Sequence, residues 1–192
     1  MLIKVGGSLT DHARMITRII RESGRDLLII PGGGTFADAV RQRNVAGTAA
    51  HFMAIAAMDQ YGWLLSANGL PVRREPVMAG EPVIFLPYNH MVKTDPLPHS
   101  WNITSDTISA YYASMLSVPL LILKSIDYIR DPDGEVPVLL PGMVTRDLDP
   151  AFIPYVTRHH VSGFILCGSD HARLAAFLRG EDVPGTIFGS TI

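Results

Sequence analysis

Near the N-terminus, two short apolar runs each empty directly into glycines. Leu2-Ile3-Lys4-Val5 leads into Gly6-Gly7-Ser8, and Leu27-Leu28-Ile29-Ile30 leads into Pro31-Gly32-Gly33-Gly34. A buried strand that delivers a glycine loop and then a helix leaves backbone N–H groups facing outward with no Cβ in the way. That arrangement accepts an anion, above all a phosphate. Neither loop has the spacing of a P-loop or of the dinucleotide fingerprint G-x-G-x-x-G. Lys4 sharpens the reading. An ammonium inside an apolar strand is costly to bury unless an anion meets it, and the alternative is an edge-strand lysine snorkelling to water. The glycines just after it favour the anion. Only three lysines accompany thirteen arginines, so a lysine at a strand end stands out, and Lys124 is a second one.

Beyond these loops the chain alternates apolar runs with helical periodicity, the signature of a largely parallel α/β sheet. Strands are expected at 1–5, 27–30, 83–86, 118–123, 161–167 and 186–188. Helices are expected at 11–24, 35–43, 48–66, 104–115, 150–158 and 170–179, the fifth of these six lying between the turn-forming Asp131–Gly134 and the strand at 161–167. Thr104 or Ser105 reads as an N-cap. The proline-rich stretch from Pro71 to Pro98 reads as strand, loop and site wall, with no linker to divide the chain, so one domain over 1–192 is expected.

Composition sets limits. The 47% of hydrophobic residues and a mean hydropathy of +0.22 provide for a buried core. The apolar runs are too short to span a bilayer. A net charge of −2 gives nucleic-acid binding no bulk electrostatic support. One cysteine, Cys167, and no secretory leader fit the cytoplasm. His159-His160 lacks metal-ligand spacing, and no protein-held metal site is expected. In Trp101-Asn102-Ile103-Thr104-Ser105-Asp106-Thr107, Asp106 reads either as a helix-dipole partner or as a carboxylate that orients the lysines or a Mg²⁺ ion. Trp101 fits a core position and a ring-stacking wall equally well.

Taken in order, these segments resemble the amino acid kinase (carbamate-kinase-like) superfamily, which includes acetylglutamate, aspartate, uridylate and isopentenyl phosphate kinases. The resemblance implies a three-layer αβα sandwich with a mainly parallel central sheet, ATP and Mg²⁺ as reaction partners, and a homo-oligomer. It assigns Lys4, Gly6, Gly7 and Ser8 to the nucleotide phosphates and Gly32, Gly33 and Gly34 to the phosphoryl acceptor. Asp106 takes the part of the aspartate that organises the catalytic lysines. Lys124-Ser125-Ile126-Asp127-Tyr128-Ile129 is similar to the relatives' nucleotide segment, with Tyr128 in place of a glycine. Gly142-Met143-Val144-Thr145-Arg146 is similar to Gly-Met-x-x-Lys, so the second catalytic cation is either Arg146 or Lys124.

The short length and the His99–Asp106 stretch are most similar to the archaeal kinases of methanofuran biosynthesis, which convert [5-(aminomethyl)furan-3-yl]methyl phosphate to its diphosphate. On that resemblance His99, Trp101, Tyr111 and Thr104 are acceptor-side candidates, and Asp38 is a candidate for the substrate ammonium. Two alternatives stand beside it. One is a kinase of the same fold acting on a nucleoside monophosphate or on isopentenyl phosphate, for which His51 is the nearby candidate to grip the acceptor phosphate. The other is a non-catalytic nucleotide- or oxyanion-binding protein.

Overall fold

Strand β1 (Leu2–Val5) has all four residues buried, and its neighbours are β2 (Leu28–Pro31) on one side and β5 (Leu120–Lys124) on the other, both parallel to it. Runs with no polar alternation need cover on both faces, and a parallel sheet between helical layers provides it. The computed structural model describes residues 1–189.

In chain order, β1 leads through a 3₁₀ turn (Gly7–His12) into α1 (Ala13–Glu22), β2, α2 (Gly34–Arg41) and α3 (Gly47–Ser66). Next come β3 (Val72–Arg73), β4 (Val83–Phe85), α4 (Tyr88–Thr94), α5 (Ser105–Leu116), β5 and the hairpin of β6 (Ile129–Asp131) with β7 (Gly134–Val136). The chain continues through β8 (Val138–Leu139), α6 (Phe152–Arg158), β9 (Gly163–Cys167), α7 (His171–Arg179) and β10 (Thr186–Phe188). The main sheet has eight strands in the order β3-β4-β2-β1-β5-β9-β10-β8. Its pairs are parallel except β9 with β10. The mainly parallel sandwich expected from the sequence is therefore present. Sequence reading did not pick out α4, β3, β8 or the strands β6 and β7 that flank the expected turn, and α1 begins later than expected because the turn after Ser8 is 3₁₀. Proline hides α4 by flanking it on both sides, and two-residue strands carry no periodicity.

Side-chain alternation divides the interior into two apolar layers. Leu2, Leu28, Ile30, Leu120 and Ile122 face the layer that holds α5 and α6, while Ile3, Val5, Ile29, Leu121 and Leu123 face the layer of α1 and α7. Helix α3 contributes to both, with Ile55 and Met58 in the first and Tyr61 and Leu65 in the second. Lys4 pairs in register with Ile30 and Ile122, so it shares the α5 side of the sheet with them.

The two glycine loops lie against each other. The sheet ladder extends into them, Gly6 N–H donating to Leu123 O at 2.9 Å and Gly32 N–H to Val5 O at 2.8 Å. A Cβ on Gly7 would overlap the backbone of Gly34, and one on Gly34 would lie 2.9 Å from Gly7 O. These glycines thus serve loop–loop contact as well as any approach to an anion. Gly34 also has φ +52°, which disfavours a side chain.

A half-buried carboxylate ties α3 to α4. Asp59 on α3 accepts from the Tyr88 N–H at the start of α4 at 3.1 Å. Burial lifts the Asp59 carboxyl to about 6, against that hydrogen bond and the charge of Arg74.

Two expectations follow from these contacts. Gly34→Ala combines left-handed strain of about 1–2 kcal/mol with overpacking of about 1–3 kcal/mol, whereas Gly24→Ala, in open space, carries only the first. Urea unfolding should show the larger loss for Gly34→Ala, and equal losses would mean that the loops separate freely. The folded chain binds the Asp59 proton more tightly than the unfolded chain does. Its contribution to stability therefore falls as pH rises from the ordinary carboxylate range to about 6. Asp59→Asn should flatten the stability profile across that window and be the more stable protein above it, as read from denaturation midpoints.

Candidate active site

Three elements bring one carboxylate and two ammonium groups together. Lys4 and Lys124 stand on adjacent parallel strands, Lys124 two residues beyond the Ile122 that pairs with Lys4, and so on the same face. Helix α5 crosses that face with Asp106 in its first turn. Lys4 Nζ lies 2.7 Å from Asp106 Oδ1, and Lys124 Nζ donates to Asp106 Oδ2 at 3.0 Å. Each ammonium thus takes one carboxylate oxygen. Lys4 and Asp106 are both 4% exposed. Burial pushes the Asp106 carboxyl up, but the two lysine charges and their hydrogen bonds outweigh it and hold the group well below the usual carboxylate range. Burial lowers the Lys4 ammonium, opposed by Asp106 and reinforced by Lys124. Two cations around one anion leave a net positive, poorly hydrated centre, and such a centre is stabilised by a further anion.

The cluster faces a cavity of about 230 Å³. Gly7 and Ser8 line it from the 3₁₀ turn, Gly33 and Gly34 from the start of α2, and Ser105 from the start of α5. Residues from the starts of three helical segments therefore gather around the ammonium groups. The far wall is made by Asp38 and Arg41 of α2, by His51 of α3 and by Trp101. Arg41 lies 4.7 Å over the Trp101 ring and pairs with Asp38 at 2.8 Å. Trp101 is thus a wall residue and not a core one. His51 is 6% exposed, with its Nε2 unpartnered among the described residues.

Not every residue singled out from the sequence gathers here. Lys4, Gly7, Ser8, Gly33, Gly34, Asp38, Trp101, Thr104, Asp106 and Lys124 line the cavity. Gly6 and Gly32 lie behind it, their Cβ directions blocked by Leu123 O and by Gly7 N. His99 is held outside the lining: its ring stacks on His51 at 4.5 Å between centroids and bonds Thr48 Oγ1 at 2.9 Å and Asp95 Oδ1 at 2.6 Å. Tyr111 is packed edge-on against Tyr112 and is likewise outside the lining. Asp127 is engaged by Arg173 at 2.7 Å, and half-buried Tyr128 follows it on the same loop. Arg146 is exposed and lines a separate hollow with Arg130 and Asp147. Of the two candidates for the second cation, only Lys124 stands beside Asp106.

One buried carboxylate of this region was missed from the sequence. Asp149 sits against the first turn of α5 and accepts from Thr104 and Thr107. Its signal was the dipeptide Asp149-Pro150 before a helix, which reads only as an ordinary start of α6.

No protein-family model matches the chain. Among solved structures, uridylate kinase from Archaeoglobus fulgidus superposes with a TM-score of 0.70 at 14% identity, covering 98% of this chain and 99% of that one. UMP kinase from Ureaplasma parvum superposes with a TM-score of 0.73 at 13% identity, covering 98% and 95%. The chain has the amino acid kinase fold. Within that fold it is similar to the [5-(aminomethyl)furan-3-yl]methyl phosphate kinase of Methanocaldococcus jannaschii, at 28% identity over 94% of this chain and 93% of the relative.

Asp106→Asn removes the carboxylate from between buried Lys4 and half-buried Lys124. It should cost about 3–5 kcal/mol of stability, measured by urea unfolding at neutral pH. A loss under about 1 kcal/mol would show that the pair is solvated in solution.

Proposed function

We propose that the chain is a phosphotransferase that moves the γ-phosphoryl group of ATP onto a small molecule already bearing a phosphate, the acceptor being [5-(aminomethyl)furan-3-yl]methyl phosphate. The observation that carries the reading is the Lys4–Asp106–Lys124 cluster facing a cavity between two glycine loops. The named relative supplies the acceptor.

The chemistry suits the charges present. A phosphate acceptor is already an anionic nucleophile at neutral pH, so no general base is needed. The obstacle is repulsion: each pair of unit charges ~4 Å apart at an effective dielectric near 20 costs about 4 kcal/mol. Lys4 and Lys124 offset it with two positive charges held in place by Asp106, and the N–H groups of Gly7, Gly33 and Gly34 add fixed dipoles. Asp106 itself stays engaged by the lysines, so that it adds little repulsion of its own. In this reading Gly7 and Ser8 serve the nucleotide phosphates with Gly6 supporting them from behind, and Gly33 and Gly34 serve the acceptor phosphate with Gly32 supporting them from behind. The same reading assigns Asp127 and Tyr128 to the nucleotide.

No three His, Cys, Asp or Glu side chains meet as a metal cage among the described residues. Mg²⁺ would therefore be held chiefly by phosphate oxygens and water, its usual manner of binding, and would neutralise phosphate charge. On the acceptor side, Asp38 offers a carboxylate to the substrate ammonium in exchange for Arg41, and Trp101 offers a flat face to the furan ring. A homo-oligomer belongs to the same proposal, with Met53, Trp63 and Leu64 exposed on the outer side of α3. So does a cytoplasmic setting, where ATP is supplied. Among the described residues no helix is long and apolar enough to cross a membrane.

One observation favours a second reading, an isopentenyl phosphate kinase. His51 presents an Nε2 with no partner among the described residues, in a cavity that Ile55, Met58 and Ile108 also line.

ADP release measured with the aminomethylfuran phosphate, UMP, AMP and isopentenyl phosphate separates these readings. Turnover should be highest with the furan phosphate, and Lys4→Ala should lower it at least about a hundredfold with an unchanged circular dichroism spectrum. Turnover confined to isopentenyl phosphate would establish the second reading. ATP binding with no release for any acceptor would leave a binding protein.

A further inference from the structure

Asp149 is a buried carboxylate, 8% exposed, that no described cation pairs with. It is instead met by four donors. Its Oδ2 accepts from the Thr104 N–H at 2.9 Å, the Thr104 hydroxyl at 2.9 Å and the Thr107 N–H at 3.0 Å. Its Oδ1 accepts from the Thr107 hydroxyl at 2.5 Å. Thr104 is the N-cap of α5, yet its own side chain makes no capping bond to the helix. A carboxylate far away in the chain does that work.

The neighbouring backbone is fastened to the same place, the Ala151 N–H donating to Asn102 O at 3.1 Å. Asp106 lies between the two threonines that Asp149 grips, in the first turn of α5. Sliding or fraying of that turn would carry the Asp106 oxygens away from Lys4 and Lys124, which sit on the sheet and cannot follow. Four bonds to an ionised acceptor at a helix N-terminus resist such movement. The negative charge of Asp149 also acts on Lys4 from the same side.

We infer that Asp149 is a positioning residue of the phosphoryl-transfer centre: through Thr104 and Thr107 it locks the first turn of α5, so that Asp106 meets both lysines at once. This rests on the kinase reading for its catalytic consequence, and on geometry alone for the lock.

The test uses Asp149→Ala, which removes all four acceptor contacts, and Asp149→Asn, which removes the charge but leaves an oxygen for the three donors on Oδ2 and so protects the fold. Asp149→Ala should lower kcat roughly a hundredfold and Asp149→Asn roughly tenfold, with the KM for ATP little changed, because misplacement of a reacting centre acts on the chemical step. Thr107→Val should share the loss and Thr107→Ser should restore it. In an Asp106→Asn background, Asp149→Asn should cost no more than about a further twofold, since the two residues act as one unit. Full additivity, or an unchanged kcat in Asp149→Asn, would overturn the inference.

The lock is also read without turnover, from hydrogen exchange of the Asp106 and Thr107 amides. These should exchange at least about tenfold faster in Asp149→Asn, once the ionised cap is gone. Unchanged exchange overturns the lock even if the wild-type protein were to phosphorylate no acceptor, an outcome that would sink the kinase reading separately.

Discussion

A single carboxylate shared between two lysines organises this protein. Asp106 makes it possible to bury Lys4 in the middle of a parallel sheet, a position otherwise suited to valine or isoleucine. The arrangement is deliberately incomplete in charge. One anion cannot neutralise two cations, and the excess points into a cavity rimmed by backbone donors. Folding and the proposed function therefore draw on the same groups: the ion pairs hold α5 to the sheet, and their surplus positive charge is what the kinase reading sets against phosphates.

The glycine loops serve this centre in a way that the residue pattern alone only half expresses. Glycine at the end of a strand signals room for an anion, and Gly7 and Gly34 do line the cavity. Yet the missing Cβ atoms are required mainly because the two loops touch each other. The two sides of the cavity are joined at their backbones, so that the parts assigned to nucleotide and acceptor form one rigid floor. A kinase gains from that rigidity, because the reacting oxygens must be kept in line.

Much of the sheet was legible from the residues. Short continuous apolar runs such as Leu120–Leu123, bounded by turn residues, read as buried strands, and the helices between them carry ordinary periodicity. Lys4, Lys124 and Asp106 could be picked out because each breaks a local rule at the edge of such an element. What stayed hidden was pairing at a distance. Asp149 looked like a helix start, and only the fold shows that it caps a different helix. His99 looked like a substrate contact, but Asp95 and Thr48 engage it. Arg146 looked like a catalytic cation because of its neighbours in sequence, and the loop that carries it ends in another hollow. Side chains on loops take their partners from tertiary structure, and no periodicity encodes that.

Lys4 also guards the alignment of the strand that carries it. Its face of β1 looks toward α5, whereas the opposite face meets the unbroken apolar layer of Ile16 and Ile20. A slip of β1 by one residue would exchange the two faces and push an ammonium into that layer with no counter-ion. Lys4 aside, strands as short and apolar as β1 and β2 have few means of telling one pairing from the next. The charge that the proposed function sets against phosphates thus also acts as a locating pin during assembly, admitting only the alignment in which Asp106 can reach it.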